Sequence, residues 1–452
     1  MKQKGPVAAT LAQPGSTRHR RSVVILGAGA DVPFKLPTVP DLVRDLAGFC
    51  RTDGKKVDRA LRKKVPHVRL NFERVGGDMG DALVSRLFDH PEDVVPSLAS
   101  IRKRLTGDSA SGPVGEVIDS LCKMAESNRV DAKLVERLAN ATGDSAYGGS
   151  SENVLDPSRL ALTPLVRNAI RQSFDQVLVS TGDLTSKERG FLEEIVLATS
   201  SIEDLLASQF ARFSYGGLPE RRTYLYLAWI LWAFLRIRST SAQIPSKSIY
   251  DSLRDVRPPV VTFNYTNFFG KPLDRSVLYF HGRLDRFLRF DDRQVITNSR
   301  SLRQAVDSDS VIEFFDHVRL DVAQGSGLDL PAIVPPITFK PLMSRDQLLV
   351  WAETDALLQK ANRILIVGYS FAQADEHFQS LLRSSSAAAR IVVVNPDLEG
   401  IAQRAGRVLG IERSDLQRAA DHGRQILRHD RLTCIEAYGE DITAEDLDRL
   451  LD

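Results

Sequence analysis

The hydrophobic pattern changes character along the chain. Short aliphatic runs that end at glycine or polar residues are typical of buried strands, and they occur at 23–26, 258–265, 277–281, 364–367 and 391–394. Between about residues 50 and 250, apolar residues instead recur every three or four positions, which predicts helices almost without strands. Helical spacing also appears at 39–47, 345–360 and 375–383, beside the predicted strands. This order of elements predicts an α/β fold interrupted by a long helical segment.

The pattern divides the chain into three predicted parts. We expect a flexible basic tail at 1–21, which carries Arg18-His19-Arg20-Arg21 without an apolar signal-peptide core. Residues 22–50 and 255–452 are predicted to form one discontinuous domain, a Rossmann-like parallel sheet with helices on both faces. Residues 51–254 are predicted to form a large inserted all-helical domain. Its helical patterns lie at 113–126, 131–141, 164–179, 186–199 and 202–213.

The longest apolar run in the sequence covers residues 224–235. A helix that spans a bilayer needs roughly 20 apolar residues, so this run is too short and favours a buried helix. Because arginines flank the run, a helix lying in a membrane interface is the alternative.

Composition narrows the class of protein. The chain has 452 residues, 43% hydrophobic residues and a formal net charge of +2, which gives no global attraction to nucleic acid or anionic membranes. The basic stretch at 52–69 is interpreted as a solvated face. The cysteines Cys50, Cys122 and Cys434 lie far apart, so we expect a reducing, cytoplasmic location and no metal site.

The first predicted strand runs directly into Gly27-Ala28-Gly29-Ala30. Glycines at such a strand end let backbone N–H groups approach a phosphate, so this loop is a candidate nucleotide site. The third glycine of the dinucleotide fingerprint is missing, and a tight turn without any ligand is the alternative.

The other predicted strands end in polar residues at Asn264, at His281, at Ser370 and at Asn395. Ligands of open α/β sheets bind outside the carboxyl ends of the strands, so these ends define one candidate crevice. Taken singly, an Asn after a strand is often an Asx-turn residue. Asp375-Glu376-His377 has the composition of a metal trio, but adjacent helical residues point apart, and we interpret it as a helix start.

The strand-end motifs together resemble the sirtuin superfamily, in particular the prokaryotic sirtuin-like NAD hydrolases of antiphage defence. The matching motifs occur in the family's order and lie in about half of the chain. They are Gly27-Ala28-Gly29-Ala30 with Leu36-Pro37-Thr38, then Thr262-Phe263-Asn264-Tyr265, His281-Gly282, Gly368-Tyr369-Ser370 and Asn395.

The resemblance implies a role for each matched residue. Gly27, Ala28, Gly29, Ala30, Asp31 and Thr38 would surround the phosphates and ribose of NAD, with Thr262 and Tyr265 beside them. Gly368 and Ser370 would contact phosphate, and Asn395 would contact the adenosine ribose. Asn264 would lie beside the nicotinamide ribose, and His281 would be the catalytic histidine. Cleavage of the N-glycosidic bond needs an amide that orients ribose or water and a near-neutral base, which Asn264 and His281 can supply.

Two positions depart from the family's pattern, since Asp31 stands where a small hydroxyl residue is usual and Thr266 where an Asp is usual. A protein that binds NAD or ADP-ribose as a sensor or scaffold without turnover is therefore an alternative. NAD-dependent protein deacylation is a further one, weakened because the cysteine count leaves no zinc ribbon.

The resemblance predicts an NAD glycohydrolase that releases nicotinamide and ADP-ribose, with NAD as substrate and no metal. Because such an enzyme depletes its own cell, we expect it to be held inactive until triggered. The expected partners are other copies of the chain, a partner ATPase or nuclease, or a phage-derived trigger, with no direct contact to nucleic acid or membrane.

Overall fold

The computed structural model describes several separate stretches of the chain. They are residues 21–38, 42–68, 91–104, 218–269, 277–289, 292–297, 299–320, 328–334, 344–372 and 375–452, with the single residues 115, 118, 119, 122 and 185. The described residues of Met1–Leu42, Asp53–Arg69 and Leu206–Asp452 form one compact unit. Those of Val43–Thr52 and Leu70–Leu205 form a second unit.

In the described part of the chain, eight strands of the first unit form the main sheet, in the order β3-β2-β1-β7-β8-β11-β10-β9. The bounds are β1 Ser22–Leu26, β2 Val260–Thr262, β3 Val277–Tyr279, β7 Arg363–Val367, β8 Arg390–Asn395, β9 Gln417–Asp421, β10 Arg424–Arg428 and β11 Leu432–Glu436. The strands from β3 to β11 in this order pair in parallel, and β10 and β9 extend the sheet with antiparallel pairs.

The parallel strands occupy the order of a doubly wound nucleotide-binding sheet. Chain order runs outward from β1 through β2 to β3 on one side, and from β7 through β8 to β11 on the other. The direction reverses between β1 and β7, and such a switch point is where these sheets open a crevice at their carboxyl edge. The predicted parallel α/β sheet is therefore confirmed.

Both faces of this sheet are covered, which explains why its strands are continuously apolar. Alternate side chains of β1 point to opposite faces: Val23 and Ile25 belong to one buried cluster, and Val24 and Leu26 to the other. The helices α8 (Arg345–Lys360), α9 (Glu376–Arg383) and α10 (Leu398–Leu409) supply the first cluster. The helices α5 (Ile249–Val256) and α11 (Ala444–Leu451) supply the second.

A second, antiparallel sheet lies between β3 and β7 in the chain. Its order is β5-β4-β6, with bounds β4 Gly282–Arg289, β5 Val295–Ile296 and β6 Asp329–Ile333. Helix α4 (Leu218–Ser241) packs against this sheet. The indole N–H of Trp229 donates to the carbonyl oxygen of Asp329 at 3.0 Å, and that of Trp232 donates to the carbonyl oxygen of Leu284 at 2.8 Å.

Residues 224–235 are buried within α4, as the apolar run predicts. Among the described residues, no helix is long and apolar enough to cross a membrane. Helix α2 (Lys55–Lys64) also packs against α4 and buries Val57, Asp58 and Leu61, although it belongs to the basic stretch. The remaining helices of the first unit are α6 (Ser299–Gln304) and α7 (Ser308–Phe314).

The second unit contains most of α1 (Leu42–Arg51) and all of α3 (Pro91–Arg104). The basic tail and the helical patterns at 131–141, 164–179, 186–199 and 202–213 lie outside the described residues, apart from Arg21. The inserted all-helical domain therefore stays a prediction, as do its boundaries at 51 and 254. Helix α4 and most of α5 fall within those boundaries but belong to the same compact unit as the sheet.

Candidate functional site

Strand register brings Asn264 and His281 to the same level of the sheet. Thr262 of β2 pairs with Tyr279 of β3, and each of the two polar residues follows its strand by the same two positions. Adjacent strands lie about 4.8 Å apart, so the backbones at these two positions are close to each other. Phe263 directly precedes Asn264 in the chain, and its ring centroid is 4.8 Å from that of His281.

The glycine loop after β1 packs directly on the turn after β7. A Cβ on Gly27 would lie 2.5 Å from the carbonyl oxygen of Gly368, and a Cβ on Gly29 would lie 2.7 Å from the Cα of Gly368. Gly368 has φ +64°, and a Cβ there would lie 2.6 Å from the nitrogen of Ala30. The three glycines are therefore required by the close approach of two backbones at the switch point.

Several backbone N–H groups of the glycine loop are already used in hydrogen bonds to other backbone atoms. Gly27 N–H donates to the carbonyl oxygen of Val367 at 3.0 Å, and Gly29 N–H donates to that of Gly368 at 2.8 Å. Ala30 N–H donates to the carbonyl oxygen of Gly27 at 3.0 Å, at the start of the 3-10 helix Ala28–Phe34. These three amides hold the loop in place and do not form an open phosphate cradle.

The carboxylate of Asp31 is the centre of a buried polar group that we call the Asp31 cluster: Asp31, Tyr250, Asn264 and Thr266. The hydroxyls of Tyr250 and Thr266 both donate to this carboxylate. The side-chain amide of Asn264 donates to Oδ1 of Asp31 at 2.9 Å. All four residues are buried. The two positions that depart from the family's pattern are therefore in direct contact.

Burial controls the protonation of Asp31. Desolvation raises the pKa of this carboxyl from 3.8 to about 6, although the hydrogen bonds from Thr266, Tyr250 and Asn264 act to lower the pKa. Burial also raises the pKa of the Tyr250 hydroxyl well above its usual value, and the neighbouring carboxylate adds to this rise. The site thus contains a carboxyl group that titrates near neutral pH.

The Asn264 side chain points across the sheet and not into a local turn. Its amide nitrogen donates to the carbonyl oxygen of Gly27 at 3.0 Å as well as to Asp31, and it lies 3.3 Å from the Tyr250 hydroxyl. The Asx-turn alternative therefore does not describe this residue.

His281 is paired with a carboxylate that sequence reasoning missed. Its Nε2 lies 3.1 Å from Oδ1 of Asp375, and both side chains are buried. Asp375 immediately precedes α9, as the predicted helix start requires, but its side chain makes no capping bond there. Tyr369 is also next to Asp375, which contributes to raising the pKa of the Tyr369 hydroxyl, although burial is the larger cause.

The remaining predicted site residues take several structural roles. Tyr265 donates its hydroxyl to the carbonyl oxygen of Val334 at 2.8 Å, and the hydroxyl of Thr262 accepts from the backbone N–H of Asn264 at 3.1 Å. Asn395 forms the Asx turn, because its Oδ1 accepts from the N–H of Asp397 at 2.9 Å. Ala28 and Thr38 are partly buried, and Ser370 is exposed.

Two functional candidates come from helices and not from strand ends. Tyr250 lies on α5, and the hydrophobic pattern of that helix gives no sign that its hydroxyl is used. Arg404 lies on α10 and donates through Nε to the carbonyl oxygen of Ser370 at 2.9 Å. It also pairs with Asp397 at 3.1 Å. Arg404 therefore places a cation at the carboxyl edge, beside the turn after β7.

In the described residues, no group of three or more His, Cys, Asp or Glu side chains is placed to hold a metal ion. No protein-family model matches the sequence, and no curated protein does so either.

Two solved structures have distant similarity to this chain. One is described as the crystal structure of a Sir2 homolog–NAD complex, with 13% identity, a TM-score of 0.32, and coverage of 49% of this chain and 70% of that one. The other is described as the structural basis for the mechanism and regulation of Sir2 enzymes, with 15% identity, a TM-score of 0.24, and coverage of 40% and 76%. Similarity at this level does not establish a family.

Proposed function

We propose that this protein is an NAD glycohydrolase, which hydrolyses NAD to nicotinamide and ADP-ribose. The observation that carries the proposal is the position of a buried His–Asp pair at the same sheet level as a hydrogen-bonded asparagine. His281 and Asp375 form the pair, and Asn264 is the neighbouring amide. The doubly wound strand order supports a dinucleotide as the ligand.

The chemistry requires one bond to break and one to form. The bond between C1′ of the ribose and the nicotinamide nitrogen breaks, and its electron pair neutralises the positive charge of the ring. Nicotinamide is a good leaving group and needs little help from an acid. A water molecule then forms the new bond to C1′, and its proton passes to a base.

The residues fit these steps in distinct roles. Since the amide nitrogen of Asn264 is engaged with Gly27 and Asp31, its Oδ1 is the atom that accepts from the water or a ribose hydroxyl. His281 is the base. Asp375 stabilises the positive charge that the imidazole acquires with the proton.

The phosphates of NAD are proposed to lie against the turn after β7. Ser370 is exposed there, and the guanidinium of Arg404 supplies positive charge beside it. This assignment differs from a cradle formed by the glycine loop, because the amides of Gly27, Gly29 and Ala30 already donate to the backbone.

The test is nicotinamide release from NAD by the purified protein, at several protein concentrations and with and without added phage lysate, compared with His281→Ala, Asn264→Ala and Asp375→Asn variants. The proposal requires release by the native protein and losses of about 100-fold or more in kcat for the first two variants. Asp375→Asn keeps the size of the side chain but removes its charge and can hold the imidazole in the wrong tautomer, so we expect a loss about as large as that of His281→Ala. Arg345→Ala, on the first turn of α8, serves as a surface control.

A second function is favoured by Asp31 and Thr266, which stand where a small hydroxyl residue and an Asp are usual in the enzymes that the motifs resemble. Under this alternative the protein binds NAD or ADP-ribose as a sensor or scaffold and does not turn it over. Calorimetric binding without nicotinamide release at any protein concentration would favour it over the hydrolase.

We further propose that the enzyme acts in the cytoplasm as an NAD-depleting effector of antiphage defence, held inactive until a phage-derived signal or partner arrives. The motif resemblance and the toxicity of uncontrolled NAD hydrolysis support this. Homo-oligomerisation is the expected means of control. Full activity in a monomer, measured by size-exclusion chromatography coupled to the release assay, would contradict it.

A further inference from the structure

Asp31 is held by neutral partners. In the described part of the chain, its carboxylate accepts from the Tyr250 hydroxyl, the Asn264 amide and the Thr266 hydroxyl, and no ion pair with a cation is seen. Burying a carboxyl without a cation lowers stability, because desolvation is offset only by hydrogen bonds. For this residue, burial outweighs the three donors, as its raised pKa shows. Stability alone therefore does not explain the Asp31 cluster.

The cluster does fix the orientation of one side-chain amide. The amide nitrogen of Asn264 lies 3.0 Å from the carbonyl oxygen of Gly27 and 2.9 Å from Oδ1 of Asp31. A flipped amide would keep the same shape but would place its oxygen against both acceptors. Repulsion between these oxygen atoms excludes the flipped form.

The two oxygen atoms of Asp31 have separate partners. Oδ1 accepts from Asn264 and Tyr250, whereas Oδ2 accepts from Thr266. The bond to Thr266 holds the carboxylate plane, so that Oδ1 stays directed at Asn264.

We propose that Asp31 is a positioning residue, whose Oδ1 fixes the side-chain amide of Asn264 so that the carbonyl oxygen of this amide is presented to substrate. This inference rests on the proposed function, because it assigns a purpose to the orientation of Asn264. It goes beyond that function because it names the residue that orients the Asn264 amide. That residue is a carboxylate 233 positions away in the sequence.

Three variants separate the acceptor from the charge. Asp31→Ala removes the acceptor, whereas Asp31→Asn keeps an oxygen for Asn264 and turns an amide nitrogen toward the Thr266 hydroxyl, which can accept a hydrogen bond. Asp58→Ala is the matched control, since Asp58 is a buried carboxylate that accepts from Arg62 and Tyr226, outside the site.

The expected result in the nicotinamide-release assay is a kcat for Asp31→Ala lowered by about 30-fold, with KM changed by less than about threefold. The kcat of Asp31→Asn is expected to be about tenfold higher than that of Asp31→Ala. Asp58→Ala is expected to lower the melting temperature without lowering kcat. In an Asn264→Ala background, Asp31→Ala causes no further loss, because residues that act as a unit are not additive. Full additivity, or an Asp31→Asn loss equal to that of Asp31→Ala, would overturn the proposal.

Crystal structures of the variants provide a readout that does not depend on turnover. We expect the Asn264 amide to leave Gly27 in Asp31→Ala and to stay in place in Asp31→Asn. An unmoved Asn264 in Asp31→Ala would refute the positioning role. A native protein that releases no nicotinamide at any protein concentration, with or without phage lysate, would instead refute the proposed function, and the structures would still decide the role of Asp31.

Discussion

The raised pKa of Asp31 predicts a specific dependence of stability on pH. Burial raises this pKa from 3.8 to about 6 in the folded protein. The folded state therefore binds the proton more tightly than the unfolded state. The stabilisation from this proton is fully present below about pH 4 and is lost as the pH rises through about 6.

The magnitude follows from the size of the pKa change. Each pKa unit corresponds to about 1.4 kcal/mol, so the full effect of this one carboxyl is about 3 kcal/mol, and the free energy of unfolding falls by about 2.5 kcal/mol between pH 4 and 7 because of it. Other carboxyls act in the opposite direction, since hydrogen bonds and ion pairs lower the pKa of Asp251 and Asp446. The test must therefore compare two proteins and not two pH values.

Asp31→Asn removes the titration and leaves the other groups in place. We expect its free energy of unfolding to rise relative to that of the native chain by about 2 kcal/mol as the pH increases from 4.5 to 7.5. Denaturant unfolding followed by tryptophan fluorescence suits this measurement. Trp229, Trp232 and Trp351 are the chain's three tryptophans, and all belong to the unit that contains Asp31.

Two outcomes would refute this reasoning. A difference between the two proteins that stays constant with pH would mean that Asp31 does not titrate in this range. A difference that falls with rising pH would mean that the three hydrogen-bond donors outweigh burial, so that the pKa is lowered and not raised.

Three further substitutions test the packing and hydrogen bonding of the first unit by the same fluorescence assay. Gly368→Ala should destabilise by about 3 kcal/mol or more, because it combines a positive φ with a 2.6 Å contact to backbone. Gly410→Ala, with φ +70° but open space around the Cβ, should cost only about 1 kcal/mol, and equal losses would contradict the close approach. Tyr226→Phe should cost about 1–3 kcal/mol, because it removes a hydroxyl that donates to the buried Asp58, and a neutral effect would show that Arg62 alone satisfies this carboxylate.

The strands of the parallel sheet could be predicted because both of their faces are buried. Runs such as 364–367 and 391–394 are aliphatic at every position, and the structure places both in strands. The antiparallel strands could not be predicted in this way. All five residues of β9 are exposed or only partly buried, and the pairing of β4 with β6 is interrupted by a register shift between Gly282 and Phe287. Neither β9 nor β4 shows the regular alternation of apolar and polar residues that identifies a strand in a sequence.

The candidate site divides in the same way. Asn264 and His281 follow aliphatic runs directly, so their place at the carboxyl edge could be predicted from the sequence. Tyr250 and Asp375 could not, because each belongs to a helix or a helix start, where the hydrophobic pattern specifies the buried face and not the partner of a polar side chain. The roles assigned to individual residues stay predictions.

The parallel topology also explains why the parts of the site are so distant in sequence. Neighbouring parallel strands require a crossover, so side chains that meet at one edge are separated by whole connections. Between β1 and β2 the chain leaves the first unit after Leu42 and again after Arg69, and it returns each time before reaching α5. Asp31 precedes both departures and Tyr250 follows both returns, yet the two residues share a hydrogen bond. The Asp31 cluster, His281 and Asp375 thus all belong to the unit that carries the sheet, and their geometry is set by strand register and by the helices packed on its two faces.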